Sequence, residues 1–440
     1  MAWTTMLNLV FRAVIPYPEE RIPLTAYSHY WSLGISLFPT LYMAYLARRP
    51  YTYTLRLMLL PIAVLAILGT FFRFKFPGVD NGPNNWGLGS FALVHAAMAI
   101  NYAWRPEGML KVGEELPGVP IKDSCHANGD APHKGVRPSP PSTRKSRLPD
   151  WLYDTLELIF TWRGIGWKFG GDLYIPKEYK PLERSAFLSA TMVSVLENFL
   201  IFDACESFIK LVPGVGSPQG GSIFRPELPF LQRYVLSTAI HIATGSYILS
   251  GFQLFYSDLP TLIGVGLLSH EPSSWPPVVD NPWQSDSLHV LWSKRWHQLL
   301  RETFFVYGGF VGGFLAGSLG TLFGTFFGSG LYHEATAYAL GRGFDCRGIY
   351  FFVLQAPLLL LERMWVHITG HRVSGIYGRL WVYFCIIILG QPLVNSWHTR
   401  GLGGGYMLDP NMSPIRRLLI PFLQQVTDFL GLYHLSALLG

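Results

Sequence analysis

Apolar runs of roughly twenty residues, separated by short polar clusters, dominate this chain. A helix needs about 20 residues to cross a hydrocarbon core of about 30 Å, and the runs at 27–46, 55–72 and 86–104 meet that requirement. The first ends in Arg48 and Arg49 and the second in Arg73 and Lys75. Residues 106–149 break the pattern with Pro, Gly, Ser and charge, including PSPPSTRKSR. Such a stretch cannot bury enough apolar surface to order itself, and its cations mark the cytoplasmic side, so it predicts a flexible cytoplasmic loop. The segment WLYDTLELIFTWRGIGWKFGG predicts an interfacial helix and a Gly-bearing turn, with tryptophans at headgroup depth.

Spans resume at 185–211 and 229–255, and the shorter run at 259–268 predicts a re-entrant segment. Pro276, Pro277 and Pro282 hold an extended stretch. DSLHVLWSKRWHQLLR then predicts an amphipathic helix too polar to cross lipid. From 302 to 341 the chain is apolar and glycine-rich, long enough for two passes or for one pass and a buried half-helix. Further spans fall at 349–368, 379–393 and 415–439. The pattern as a whole predicts an all-α polytopic protein of eight to ten transmembrane helices, one membrane-embedded domain over 1–440, without tandem repeats.

Composition agrees. Half of the residues are hydrophobic and 14% are charged, against about 25% charged in soluble domains, so lipid covers much of the surface. The net charge of +6 is spread over helix ends and one loop, which leaves no face for nucleic acid. Four cysteines without a CxxC pair suggest neither a zinc site nor a disulfide framework, and no metal is expected. The N-terminus lacks a basic n-region and a clear cleavage site. Targeting by the first span then implies a multi-pass protein of the endoplasmic reticulum membrane.

Two segments carry candidate chemistry. In LWSKRWHQLLR, helical spacing puts His297 and Arg301 on one face and Trp292 and Trp296 on another. Either an imidazole and a guanidinium act together there, or the segment is an interfacial anchor with a basic face toward anionic headgroups. In SGLYHEATAY, His333 and Glu334 interrupt an apolar run. Ionisable groups at membrane depth face a cavity or pathway by default, and a neutral histidine suits proton transfer near pH 7. The alternative is a hydrogen-bonded core histidine. A zinc-protease reading fails because HExxH needs a histidine at Ala337.

Gly309, Gly313 and Gly317, and again Gly320, Gly324 and Gly328, repeat every four residues. They predict close helix packing or, at another depth, room for a substrate tunnel. Glu197, Asn198, Asp203 and Glu206 share one span and either line a polar cavity or pair with arginines of neighbouring helices. His241 reads as structural. Nothing resembles a P-loop, a GxGxxG fingerprint or a GxSxG elbow.

WSKRWHQLLR followed by SGLYHE, with 36 residues between His297 and His333, resembles the membrane-bound O-acyltransferase superfamily, and within it the wax-synthase-like branch. TWRGIGWKFGG, with Arg163, Gly164, Gly166 and Trp167, is similar to a signature of fungal members that acetylate terpenoids and meroterpenoids. The polar loop has no counterpart there. The resemblance implies transmembrane helices around a central reaction chamber, with the wax-synthase-like catalytic region at 280–395. It implies transfer of an acyl group, acetyl first, from acyl-CoA to a hydroxyl of a hydrophobic acceptor within membrane lipid, with no bound cofactor.

In that reading His333 is the general base and His297 orients substrate or stabilises developing charge. Glu334 orients a histidine or closes a helix contact, and Trp296 supports the site. Lys294, Arg295 and Arg301 meet the CoA phosphates. A long-chain wax-ester or sterol acyltransferase is the enzyme alternative. A transporter using Glu197, Asp203, Glu206 and His333 as an ion path is the alternative of another class. It predicts internal repeats, which the sequence does not show, and it leaves WSKRWHQLLR unexplained.

Overall fold

In a computed structural model of the protein, the described residues are 2–121, 148–296 and 298–431. Their helices are α1 (Ala2–Val14), α2 (Tyr27–Ser36), α3 (Phe38–Ala47), α4 (Tyr53–Phe71), α5 (Gly82–Trp104), α6 (Asp150–Phe160) and α7 (Arg184–Leu211). They continue with α8 (Phe230–Leu267), α9 (Arg301–Tyr338), α10 (Arg347–Thr369), α11 (Gly375–Thr399) and α12 (Ile420–Phe429). Strand pairing is slight: Ile22–Pro23 runs parallel to Phe74–Lys75, and Glu114–Leu116 pairs with Val119–Pro120.

Among the described residues, six helices are apolar and long enough to cross a membrane: α4, α7, α8, α9, α10 and α11. The protein is therefore an all-α, multi-pass membrane protein. α5 has 23 residues, about 34 Å at 1.5 Å per residue, but carries Asn84, Asn85 and Asn101 along its length. The expected first span divides into α2 and α3 at Leu37. Pro39 has no amide hydrogen to return to the carbonyl of Ile35, and its ring crowds that turn.

The run at 259–268, expected as a re-entrant segment, instead continues α8 to Leu267. Wider turns with i→i+5 bonding over Leu254–Asp258 and Leu262–Leu267 flank Pro260 and absorb its missing donor without breaking the helix. Asp258, fully buried here, anchors the turn. It accepts from Ser194 Oγ at 2.7 Å and Gln253 Nε2 at 3.0 Å, and it pairs with Lys180 at 3.3 Å.

α9 is a helical hairpin. Ala316 (φ −144°, ψ 28°) and Gly317 (φ 57°, ψ −142°) leave helical geometry, and the chain folds back on itself. The φ of Gly317 lies where a Cβ is penalised. Cβ atoms at Gly308 or Gly312 would overlap the carbonyls of Gly324 and Gly320, and one at Gly328 would lie 2.5 Å from Phe304 O. The glycine stripes therefore serve close packing between the two arms. Gly309 and Gly313 face Thr325 and Thr321 rather than open space.

Of the stretch expected as a loop over 106–149, residues 122–147 lie outside the described residues, and 106–121 dock on the bundle. Met109 and Leu110 are buried. Arg48, 2% exposed, donates to Glu114 at 2.7 and 2.8 Å, to Asp154 at 2.5 Å and to Met109 O at 2.6 Å. Burial alone would raise both carboxyls, but the hydrogen bonds from Arg48 outweigh it and hold both below the usual range. A single buried cation thus overrides the polar composition that argued for a loop.

The acids of α7 pair with the C-terminal segment. Asp203 accepts from Ser413 Oγ at 2.5 Å and from the Ile415 amide at 2.9 Å. Glu206 pairs with Arg416 at 2.9 Å and takes the Met407 amide at 2.9 Å. Glu197 stands apart from these pairs, on the exposed face of the helix.

Candidate active site

His333 sits on the second arm of α9, where small residues bring the neighbouring helix close. A Cβ at Gly330 would lie 2.7 Å from Ile349 Cα, so α10 approaches to backbone contact. Helical side chains lean toward the preceding turn, and the His333 ring accordingly lies on Phe352 of α10, with centroids 4.4 Å apart and planes at 23°. Phe304 of the first arm lies at 5.8 Å and Trp397 of α11 at 6.4 Å. Three aromatic walls from three elements hold one imidazole.

Its Nδ1 lies 2.8 Å from Ser329 O. A carbonyl can only accept, so Nδ1 carries the hydrogen and Nε2 of the neutral ring is the acceptor. The bond to Ser329 O thus commits Nδ1 and leaves Nε2 as the ring's accepting nitrogen. The geometry therefore presents one basic lone pair in an aromatic setting, oriented by the backbone of its own helix.

Glu334, one residue on, points elsewhere. It pairs with Arg400 of the segment following α11 through two bonds, at 2.8 and 3.1 Å, and accepts the Asp345 amide at 2.8 Å. Arg400 also donates to Ser396 Oγ at 2.7 Å. Of the two roles considered for Glu334, closing a helix contact is the one its bonds perform.

His297 lies outside the described residues. Its surroundings differ from the amphipathic helix expected there. Helical turns run from Leu288 to Arg295, Trp296 turns extended (φ −73°, ψ 155°), and helix resumes at Arg301. The expectation that His297 and Arg301 share a helix face thus falls on a position outside the described residues. Gln298 caps the end of the turns before it, its Nε2 donating to Trp292 O and Trp296 O, each at 3.1 Å. Trp292, expected at the membrane interface, instead packs inward: Nε1 donates to Gln355 at 3.2 Å, and the ring meets Phe326 and Phe352. Trp296 meets Trp292 edge to face at 6.3 Å. Leu299 and Leu300 are buried in one cluster with Tyr332, beside His333.

The expected phosphate ligands differ in their surroundings. Lys294 is exposed, its ammonium 5.7 Å from the Tyr174 ring. Arg295 donates to Asp280 O and Asn281 O at 3.2 and 3.1 Å. Arg301 is exposed on the far side of the break, while its neighbour Glu302 pairs with Arg105 at 2.7 Å.

The RGIGW turn is a clamp. Gly164 and Gly166 hold positive φ of 71° and 81°, and Trp167 is buried beneath Arg48 at 4.9 Å. Arg163 donates to Pro277 O at 2.7 Å and Pro276 O at 2.8 Å. Burial pulls its guanidinium down to about 10, which still leaves it charged at neutral pH. Arg163→Ala should remove two charge-assisted bonds and lower stability by about 3 kcal/mol. A melting temperature in detergent equal to wild type would refute the clamp.

Two cavities open beside Val94 of α5, Trp162 and Leu299, and His333 lines neither. One of about 110 Å³ is lined by Ser90 and Phe91 of α5, Trp162, Tyr256, Leu300 and Tyr332, and the hydroxyls of Ser90 and Tyr332 hydrogen-bond across it. The other, about 30 Å³, lies along Met98, Tyr102, Leu158 and Val306. Sequence reasoning missed Ser90, Phe352, Trp397 and Arg400. Trp397 and Arg400 stand in NSWHTR, where polar residues crowd the end of an apolar span, and that crowding was the available signal.

Residues 275–354, which contain the break, the hairpin and His333, match the membrane bound O-acyl transferase family. The chain is also 27% identical over 223 residues to the acetyltransferase sirH of Emericella nidulans. That match covers 50% of this chain and 49% of the relative, so it spans about half the length of each. Over residues 275–354, then, the chain is similar to the membrane bound O-acyl transferase family, and over about half its length it is similar to a fungal acetyltransferase.

Proposed function

We propose that the protein transfers a short acyl group, acetyl first, from acyl-CoA to a hydroxyl of a hydrophobic acceptor. The acceptor class we favour is a terpenoid or meroterpenoid alcohol of fungal secondary metabolism, presented within the endoplasmic reticulum membrane. The observation that carries the reading is the His333 imidazole, with Nδ1 committed to Ser329 O and Nε2 available. In the proposed reaction Nε2 takes the hydroxyl proton as the oxygen attacks the thioester carbonyl. The new C–O bond forms, the C–S bond breaks and the CoA thiolate leaves.

His297 completes the site by donating toward the oxyanion that develops on the carbonyl. Lys294, Arg295 and Arg301 meet the phosphates of CoA, and no resident cofactor is required. Similarity to a fungal acetyltransferase supports a short donor over the long chain of a wax-ester or sterol acyltransferase.

The test is incubation of purified protein with labelled acyl-CoAs and a host metabolite extract, following free CoA and ester products by mass spectrometry. Ester formation with acetyl-CoA is expected. No CoA release from any donor would overturn the reading and favour transport. In the same assay His297→Ala should cut the rate by about 10²-fold; an unchanged rate would reduce that residue to an anchor.

A further inference from the structure

The turn at 370–374 joins α10 to α11, two helices apolar and long enough to cross a membrane, so it lies where headgroups lie. Arg363, His367, His371, Arg372 and Arg379 surround it, and all are exposed. Glu362 of α10 accepts from Trp381 Nε1 of α11 at 3.0 Å, which sets the turns bearing Arg363 and Arg379 side by side. Between them Gly370 takes a φ of 73°, and His371 Nδ1 donates to Thr369 O at 2.8 Å.

These arginines lack the partners that others have. Arg48, Arg105, Arg225, Arg347, Arg400 and Arg416 each pair with an acid. Among the described residues the guanidinium groups of Arg363, Arg372 and Arg379 make no hydrogen bond or ion pair. The chain offers them little to pair with, since no Asp or Glu occurs from 363 to 408. The acids bonded to this corner are spent on N–H groups. Glu362 takes the amides of Leu288 and His289 at 2.7 and 3.0 Å as well as the Trp381 indole, and Asp286 takes the Gly375 amide at 3.3 Å.

Helix ends do not account for the cluster. Cations suit the C-terminus of α10, but Arg372 and Arg379 flank the start of α11, where the helix dipole disfavours them. Trp365, Ile368, Ile376 and Tyr377 are exposed among the arginines, and Trp and Tyr are residues of the headgroup region. Guanidinium groups bind phosphate through paired N–H bonds. A soluble phosphate compound has no use for the apolar fringe, whereas a phospholipid uses both. The turn also lies at the fitting end of the bundle. Gly330 meets Ile349 and Phe326 packs on the cluster of Leu358 and Leu359, while Gly82 meets Leu340 and Ser90 meets Tyr332. α10 and α5 thus both run antiparallel to the second arm of α9. The turn shares its end with the polar stretch from 106, whose cations predict the cytoplasmic side, where anionic lipid is found.

We propose that the α10–α11 turn binds anionic phospholipid headgroups through Arg363, Arg372 and Arg379. The site stands apart from the acyl-transfer reading, which uses none of these residues.

The experiment places wild type and the triple variant Arg363→Gln, Arg372→Gln, Arg379→Gln in nanodiscs of phosphatidylcholine with a minor share of phosphatidylserine. Native mass spectrometry then counts the lipids retained on release. Wild type should retain phosphatidylserine well above its bulk proportion, and added salt should weaken that preference. A cation at the membrane surface contributes about fivefold, so the triple variant should lose on the order of 10²-fold in preference. Arg372→Gln alone should lose about fivefold, and it carries the test if the triple variant does not fold. Melting in pure phosphatidylcholine should match wild type, because exposed, unbonded side chains cost little to replace. Bulk proportions in wild type, or a wild-type preference in a folded variant, would overturn the site. So would variants that keep the lipid preference and instead bind acetyl-CoA more weakly in pure phosphatidylcholine, since the arginines would then serve a soluble phosphate. Lipid retention is read without turnover, so failure of acyl transfer would leave the result standing.

Discussion

Replacing His333 with glutamine is expected to lower turnover by between about 10² and 10⁴-fold, the range that positioned acid–base groups supply. The protein should still express, insert and melt near wild type. Glutamine is the informative choice because its amide keeps some volume between Phe304 and Phe352 and can donate to Ser329 O, yet it cannot accept a proton at neutral pH. His333→Ala should lose as much turnover, but it also empties an aromatic cage, so a fall in its melting temperature would blur the cause. Glutamine turnover within a few-fold of wild type, in protein of normal stability, would remove His333 from the chemistry.

The second large effect concerns stability. Arg400→Met should destabilise the fold by about 3–5 kcal/mol, because it strands the Glu334 carboxylate in a site where that residue is 1% exposed. Glu334→Leu combined with Arg400→Met should recover most of the loss, since replacing both members of a buried pair by apolar groups is often neutral. Turnover of the double variant also separates two roles on one turn of helix. Glu334 bonds Arg400 and the Asp345 amide, not a histidine, so the double variant should keep most of the wild-type rate. A folded double variant that has lost activity as completely as His333→Gln would show that Glu334 acts on the imidazole after all.

The fold was legible wherever apolar length alone decides. α4, α5, α7 and α10 begin and end within a few residues of the runs that predict them. It was least legible where one side chain changes the backbone. Nothing in the spacing of WSKRWHQLLR announces that Gln298 will cap a broken helix, because glutamine has no positional signature of that kind. Pro260 reads as a breaker until widened turns on either side absorb it. Residues 106–121 read as solvent-loving until Arg48, some sixty residues earlier, gathers their acid and their carbonyl. Within the candidate site, the apolar run around His333 and Glu334 marked the place. The direction of Glu334 was not readable, since its partner Arg400 lies 66 residues away on a segment brought near only by packing.

The bond from His333 Nδ1 to Ser329 O has a consequence for how the two substrates must be present. An imidazole held by a carboxylate or a water can pass a proton through the ring and out at the other nitrogen. Here the far nitrogen faces a main-chain carbonyl that cannot take one, so the ring has a single port. In the proposed transfer, whatever Nε2 receives from the alcohol it must hand back from Nε2, to the departing thiolate. Oxygen and sulfur must then lie within reach of the same nitrogen in the same encounter. The site would be a meeting place for donor and acceptor together, rather than a station that one leaves before the other arrives.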